Sequence, residues 1–227
     1  MPKLSSRKSG NRCHGCRMLK YLCFCELMPS YDLLQGDLVL AIHYREARHT
    51  TNSGQLAAQV FAPSKVLVRG QEGEAGDAER ADFAQLCAQD GVENLVLFPH
   101  ETAEPLPVAL APGRRYRLWA PDGNWKQGKK IANRLLQQVP GARAVSLPFE
   151  RLSTYQLRRE SHPEKMSTYE AISRALSLLE GDPSLRERSE RIFQLMVHRA
   201  LYSRGLITQD ELQTRDLEHA ASMTSAK

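Results

Sequence analysis

Four of the five cysteines of this 227-residue chain fall within thirteen residues, as Cys13-x2-Cys16-x6-Cys23-x-Cys25. Four thiolates at such short separations can wrap one tetrahedral ion without a core of their own, and zinc is the expected ion. Spacing alone leaves open an iron–sulfur cluster, or a site in which His14 replaces one cysteine. The flanking Arg12, Arg17 and Lys20, with Tyr21 and Phe24 between them, suit contact with RNA as well as they suit a structural staple. Cys87 stands apart in a helical pattern, where a core role is expected.

A carboxylate is the second candidate. Between Arg115 and Lys126 an apolar strand pattern breaks at Pro121-Asp122-Gly123, and a helix-forming run starts at once. Open α/β sheets bind ligands at the carboxyl ends of their strands, where a fresh helix also offers unpaired N–H groups. Asp122 is therefore the first candidate for chemistry. The simpler expectation is that Asp122 or Asn124 caps the helix and Gly123 makes the turn. On that helix Lys126, Lys129, Lys130 and Arg134 share one face, with Ile131, Leu135 and Val139 opposite. Such a stripe is either a solvated face or a rail for a phosphate backbone.

Positioning these groups requires a sheet. Continuous apolar runs at 37–42, 65–68, 94–98, 115–120 and 142–147 read as buried strands. Helical patterns between them, at 55–61, 79–89 and from Asn124 to about Val139, predict an α/β domain with a mostly parallel sheet. Further helices are expected from Ser167 to Leu179, from Leu185 to Tyr202 and, briefly, from Gln209 to Leu217, with the last residues fraying. Polar segments follow the strands. His43 to Gly54 holds Thr51, Asn52 and Ser53, which can cap a helix, and Gly54, which lets a partner come close. The residues 102–113 form a long proline-rich loop. Arg151 to Arg159 carries arginine forks suited to a carboxylate or phosphate. Ser167-x-x-Glu170 is a capping box, which could explain both residues on structural grounds.

Composition sets broad bounds. The formal charge is +5 and the pI about 9.0, which permits a nucleic-acid partner without requiring one. Lys3, Arg7, Lys8, Arg12, Arg17 and Lys20 precede the first acid, Glu26, and read as a basic arm. No apolar run approaches the ~20 residues of a membrane span, and the N-terminus lacks a signal-peptide core, so a soluble, cytoplasmic protein without a membrane partner is expected. Nothing in the sequence demands an obligate protein partner. The expected division is a basic arm and knuckle over 1–30, the α/β domain over 31–205, and a C-terminal helix and tail over 206–227.

Taken in order, the motifs resemble the DTW-domain family of tRNA-uridine aminocarboxypropyltransferases. The resemblance rests on the four-cysteine knuckle, His43 through Thr51-Asn52-Ser53-Gly54, Leu97-Phe98-Pro99, Asp122-Gly123-Asn124-Trp125, Leu152 to Arg158, and Ser167-Thr168-Tyr169-Glu170-Ala171. It covers roughly residues 12 to 202. The family's Asp-x-Thr-Trp signature has Asn124 in place of threonine here, which keeps a capping group but removes a hydroxyl. The family is regarded as related to the SPOUT class, so the resemblance implies a SPOUT-like α/β fold with a C-terminal trefoil knot whose loops bind S-adenosylmethionine.

The implied reaction moves the 3-amino-3-carboxypropyl group of S-adenosylmethionine to N3 of a uridine in tRNA and leaves methylthioadenosine. Uridine N3 carries a proton that must depart, and Asp122 is the expected acceptor, with Trp125 walling the pocket or stacking on a base. Arg158 and the hydroxyls of Ser153, Ser167 and Thr168 are expected to hold the cofactor's carboxylate, with Tyr155 and Glu170 in the same motifs. Asn52, Ser53, Phe98, Pro99, Leu147 and Pro148, at successive strand ends, are assigned to the cofactor cleft. Lys126, Lys129, Lys130 and Arg134 are the expected RNA face. Two other readings fit the same residues: a non-catalytic zinc-knuckle RNA-binding protein, and a SPOUT-like RNA methyltransferase. Their products differ, being none for the binder and S-adenosylhomocysteine for the methyltransferase.

Overall fold

The computed structural model describes residues 11–148 and 166–224. Its centre is a six-stranded sheet, with strands β2 (Gly36–His43), β4 (Ser64–Arg69), β5 (Val92–Leu97), β6 (Glu104–Pro105), β7 (Arg115–Asp122) and β8 (Arg143–Ser146) in the order β4-β2-β7-β5-β8-β6. All five ladders are parallel. A separate parallel pair joins β1 (Tyr31–Asp32) to β3 (Phe61–Ala62).

Strand alternation sorts the side chains into two cores. Leu38, Leu40 and Ile42 of β2, with Tyr116, Leu118 and Ala120 of β7, meet α1 (Ser53–Val60), α4 (Thr168–Glu180) and α5 (Pro183–Ser203). Val39 and Ala41, with Trp119, face the other way onto α2 (Gly73–Cys87) and α3 (Trp125–Gln138). Burial on both faces is why these strands read as unbroken apolar runs. Cys87 is partly buried against the second core, as its helical setting suggests.

The connections create a crevice. From β2 the chain runs through α1 to β4 on one side, whereas from β7 it runs through α3 to β8 on the other, with the two helices on opposite faces. Neighbouring strands whose crossovers diverge leave a gap at their carboxyl ends, where ligands of α/β sheets bind. Here β2 and β7 are that pair, with Ile42 opposite Asp122. Residues after β5 reach the sheet edge as β6 and return to β7, and β8 later fills the place between β5 and β6.

Strand β6 lies inside the stretch 102–113 that reads as a loop, and several boundaries differ from the sequence reading. Strand β7 continues through Pro121 to Asp122. Its ladder to β5 ends at Trp119, so only β2 flanks it where the proline lacks an N–H. Helix α2 starts at Gly73, six residues early, and Gly76 in its first turn packs so closely on Gln71 O that an added Cβ would lie 2.5 Å away. The last helix, α6 (Gln209–Thr224), runs past Leu217 through helix-forming alanines.

Helix α4 is tied to the sheet near its end. Glu180 accepts hydrogen bonds from Tyr116 Oη and from the backbone N–H of Leu34 at 2.9 Å. Burial, then that bond, raises the Tyr116 phenol well above its ordinary value, so it stays a donor.

Candidate active site

Asp122 follows Tyr116, Leu118 and Ala120 on the same side of β7, so alternation alone turns it toward α1 and α4. It is 4% exposed. Two helix starts supply its partners: Asn52 Nδ2 donates to Oδ2 at 2.6 Å, and Thr168 Oγ1 donates to Oδ1. Asn52 is the N-cap of α1, its Oδ1 accepting from Gln55 N at 2.8 Å, so one amide fastens both the helix and the carboxylate. Thr168 opens α4. Both helices therefore present their N-terminal ends to Asp122. Gly54 makes the approach possible, because a Cβ there would stand 3.1 Å from Asp122 Cγ. The partner that Gly54 admits is thus the carboxylate itself. Each oxygen keeps one acceptor direction beyond these two bonds.

Asp122 does not cap α3. Asn124 does, accepting from Gln127 N at 3.0 Å while Gln127 Oε1 accepts from Asn124 N at 2.8 Å, a complete capping box. Asparagine thus performs at position 124 the capping that a threonine could perform. With Oε1 so engaged, Gln127 Nε2 faces His43 Nδ1 at 3.2 Å, and Arg45 N donates to the same nitrogen at 3.3 Å. Nδ1 is then an acceptor, which leaves the proton of the neutral ring on Nε2. Burial, then Arg45, lowers the His43 pKa below its ordinary value and keeps the ring neutral. Residue spacing gave no sign of this link.

Trp125 is 61% exposed, its ring 5.1 Å from Phe98, in a tilted pair beside the small Gly128. An aromatic platform next to a strand-end carboxylate can receive a planar ring. Pro99 is exposed beside it and Ser53 is buried at the start of α1. Ser167 and Glu170 cap α4 reciprocally, Ser167 N donating to Glu170 Oε2 at 2.9 Å. Leu147 and Pro148 are not brought to Asp122. They line a separate cavity with Arg174, Ser177 and Gly181, which begins six residues, roughly 9 Å, along α4 from Thr168. Ser153, Tyr155 and Arg158 lie outside the described residues.

The sulfurs of Cys13, Cys16, Cys23 and Cys25 all lie within 4.8 Å of one another, with neighbours at 3.4 to 3.7 Å. Four sulfurs at ~2.3 Å from one tetrahedral ion are about 3.8 Å apart, so the cluster has the span of a single ion. His14 takes no part in it. Gly15 is a required gap, since a Cβ would lie 2.8 Å from Cys25 Sγ. Crowding redistributes the protons: a hydrogen bond from Cys23 holds Cys13 down to about 6, while burial pushes Cys25 up to about 12. Met18, Leu22 and Phe24 are almost fully buried in the larger core, so the knuckle packs directly on the α/β unit.

A protein-family model described as the DTW domain matches residues 10–201. The chain belongs to the DTW-domain family. Among curated proteins, this DTW-domain chain is 24% identical over 180 residues to tRNA-uridine aminocarboxypropyltransferase 2 of Drosophila melanogaster, an alignment covering 78% of the chain and 70% of that relative. No solved structure gave a significant match. The DTW-domain match spans the knuckle, Asn52, Asp122 and Thr168 in one unit. Among the described residues no helix is long and apolar enough to cross a membrane.

Proposed function

We propose that this protein transfers the 3-amino-3-carboxypropyl group of S-adenosylmethionine to N3 of a uridine in tRNA, leaving methylthioadenosine. Membership of the DTW-domain family and the name of the Drosophila relative support the reaction class. The observation that carries the reading is the buried Asp122, held by Asn52 and Thr168 where the β2 and β7 crossovers diverge.

In this reading Asp122 accepts the N3 proton. Its two donors fix the carboxylate's position and leave each oxygen a free acceptor direction for the proton. S-adenosylmethionine supplies an electrophilic carbon beside its sulfonium, and alignment at roughly 3 to 3.5 Å from the nucleophile selects which carbon reacts. The donor set fits such a cofactor: a carboxylate complements a sulfonium, and Phe98 with Trp125 offers an apolar wall for an adenine or uracil ring. Ser153, Tyr155 and Arg158 are proposed to complete the cofactor site, with Arg158 on the carboxylate. The exposed Lys126, Lys129, Lys130 and Arg134, none in an ion pair among the described residues, are proposed as the tRNA rail. Zinc is the ion proposed for the knuckle. A SPOUT-like knot is proposed as well, supported by the insertion of β8 between β5 and β6.

The decisive experiment incubates purified protein with S-adenosylmethionine and unmodified tRNA, followed by mass spectrometry of the nucleosides. The expected product is aminocarboxypropyl-uridine, with methylthioadenosine in equal amount. A methylated nucleoside with S-adenosylhomocysteine, or bound RNA without any adduct, would overturn the proposal.

A further inference from the structure

The knuckle and the Asp122 site are joined by one side chain. Arg17, directly after the Cys16 ligand position, has a left-handed backbone (φ 61°), a conformation rare for residues with a Cβ. Two bonds impose it: Arg17 N donates to Cys13 O at 3.1 Å, and Cys13 N donates to Met18 O at 2.8 Å, closing the turn that gathers the sulfurs. The turn aims the guanidinium away from the cluster and into the segment after β2. There Nη1 donates to Ala47 O at 2.7 Å and to Gln55 Oε1 at 2.8 Å, and Nη2 donates to Arg48 O at 3.1 Å.

From Gln55 the bonds continue to the carboxylate. Gln55 Nε2 donates to Ala47 O at 2.8 Å, Gln55 N donates to Asn52 Oδ1 at 2.8 Å, and Asn52 Nδ2 reaches Asp122. Gln59, one helical turn beyond Gln55, reaches the knuckle as well, donating to Gly15 O at 3.4 Å. On the opposite side of the knuckle, Arg199 of α5 donates to Cys23 O at 2.6 Å, so the cluster is braced from two directions. A staple serving only the N-terminal segment would not need an arginine fork in the loop that ends at Asn52.

We propose that Arg17 is a positioning residue of the Asp122 site: it carries the folded shape of the cysteine knuckle to Asn52, and so sets the group that holds Asp122. Three acceptors arranged around one planar fork suit arginine and not lysine, whose ammonium is a single point of donation. The knuckle's ion then acts on the reaction only through shape, by keeping residue 17 in its turn. The kinetic part of this inference rests on the function proposed above, while its structural part does not.

The test uses the full-length zinc-loaded protein and three variants, Arg17→Ala, Arg17→Lys and Gln55→Ala. Zinc per chain, amide exchange at Gln55 N and, with S-adenosylmethionine and tRNA, kcat and KM are measured. We expect full zinc in all three, exchange at Gln55 N faster by about tenfold, and kcat lower by about tenfold with cofactor KM little changed. Arg17→Lys should behave like Arg17→Ala, and the Arg17→Ala/Gln55→Ala double variant should be no worse than either single one. Wild-type exchange at Gln55 N in Arg17→Ala, or additive effects in the double variant, would overturn the relay. If Arg17→Ala loses zinc, Gln55→Ala decides, since it cuts the relay while every knuckle residue stays as it is, and wild-type behaviour there refutes it. Altered exchange in a protein that forms no adduct with any tRNA would uphold the relay and sink the proposed reaction.

Discussion

Replacing Gly54 with alanine would place a methyl carbon 2.8 Å from Leu40 Cδ1 and 3.1 Å from both Asp122 Cγ and Oδ2. Carbon–carbon contacts are optimal near 3.5 to 4 Å, so something must give by roughly half an ångström or more. Leu40 is fully buried in a central strand with little room to retreat. Asp122 can move only by stretching its 2.6 Å bond from Asn52 or its bond from Thr168. Overpacking of this kind costs about 1–3 kcal/mol, which for a chain of this size lowers Tm by roughly 4–8 °C at the middle of the range. Misplacing the carboxylate should cost far more in turnover than in stability, on the order of 100-fold. Adding Leu40→Val removes the nearer clash but not the carboxylate contact, so the double variant should recover part of the stability lost to Gly54→Ala and none of the turnover. The measurements are thermal unfolding and adduct formation on tRNA. A Gly54→Ala protein with wild-type Tm and turnover would show that Asp122 needs no such close fit.

Asp122→Asn keeps both hydrogen bonds, its amide accepting from Asn52 and donating to the Thr168 hydroxyl, and removes only the charge. Turnover should fall at least 100-fold with cofactor affinity and Tm nearly unchanged, and an active variant would eliminate Asp122 as the base. Asn124→Thr should leave turnover within a few-fold and stability within ~0.5 kcal/mol, because either residue caps α3, whereas Asn124→Ala should cost about 1 kcal/mol by denaturant unfolding. Neutralising Lys126, Lys129, Lys130 and Arg134 together should flatten the salt dependence of tRNA binding by up to about four charges' worth, read from log K against log salt. His43 links stability to pH. Its folded pKa is lowered by burial, so its contribution is full above about 6.5 and is lost as pH falls below that value. His43→Gln, which still offers an acceptor to Gln127, should flatten this part of the stability–pH curve between pH 7.5 and 5.5.

Local features were legible in the sequence, and distant pairings were not. Two-faced burial shows in the run Leu38 to Ile42, and helix starts show in the cap Asn124 and the capping box Ser167-x-x-Glu170, although Gln127 as the other half of the α3 box was not read. Asp122 stood out because a strand pattern breaks beside it, while the face it shares with Tyr116 follows only once β7 is seen to run through Pro121. Its partners could not be read, since Asn52 is 70 residues away and nothing local marks a carboxamide as belonging to a carboxylate. Arg17 was hidden for a further reason: amid basic neighbours it looks like one charge of an arm, and its work depends on a backbone angle that only the gathered cysteines impose. Leu147 and Pro148 share a cavity with Arg174 and Ser177 of α4, a grouping that position at a strand end did not announce.

Besides its apolar packing, helix α4 is hydrogen-bonded to β7 near both of its ends, Thr168 holding Asp122 and Glu180 holding Tyr116. Six strand residues separate the two attachment points on β7, roughly 20 Å at strand rise, and twelve helical residues separate those on α4, roughly 18 Å at helical rise. Strand and helix are therefore two rulers of equal length, pinned to each other at both ends. One residue inserted within α4 would turn Thr168 by about 100° relative to Glu180 and lift it from the carboxylate. Surface loops of this fold can change length freely, but the interval from Thr168 to Glu180 is held to a count.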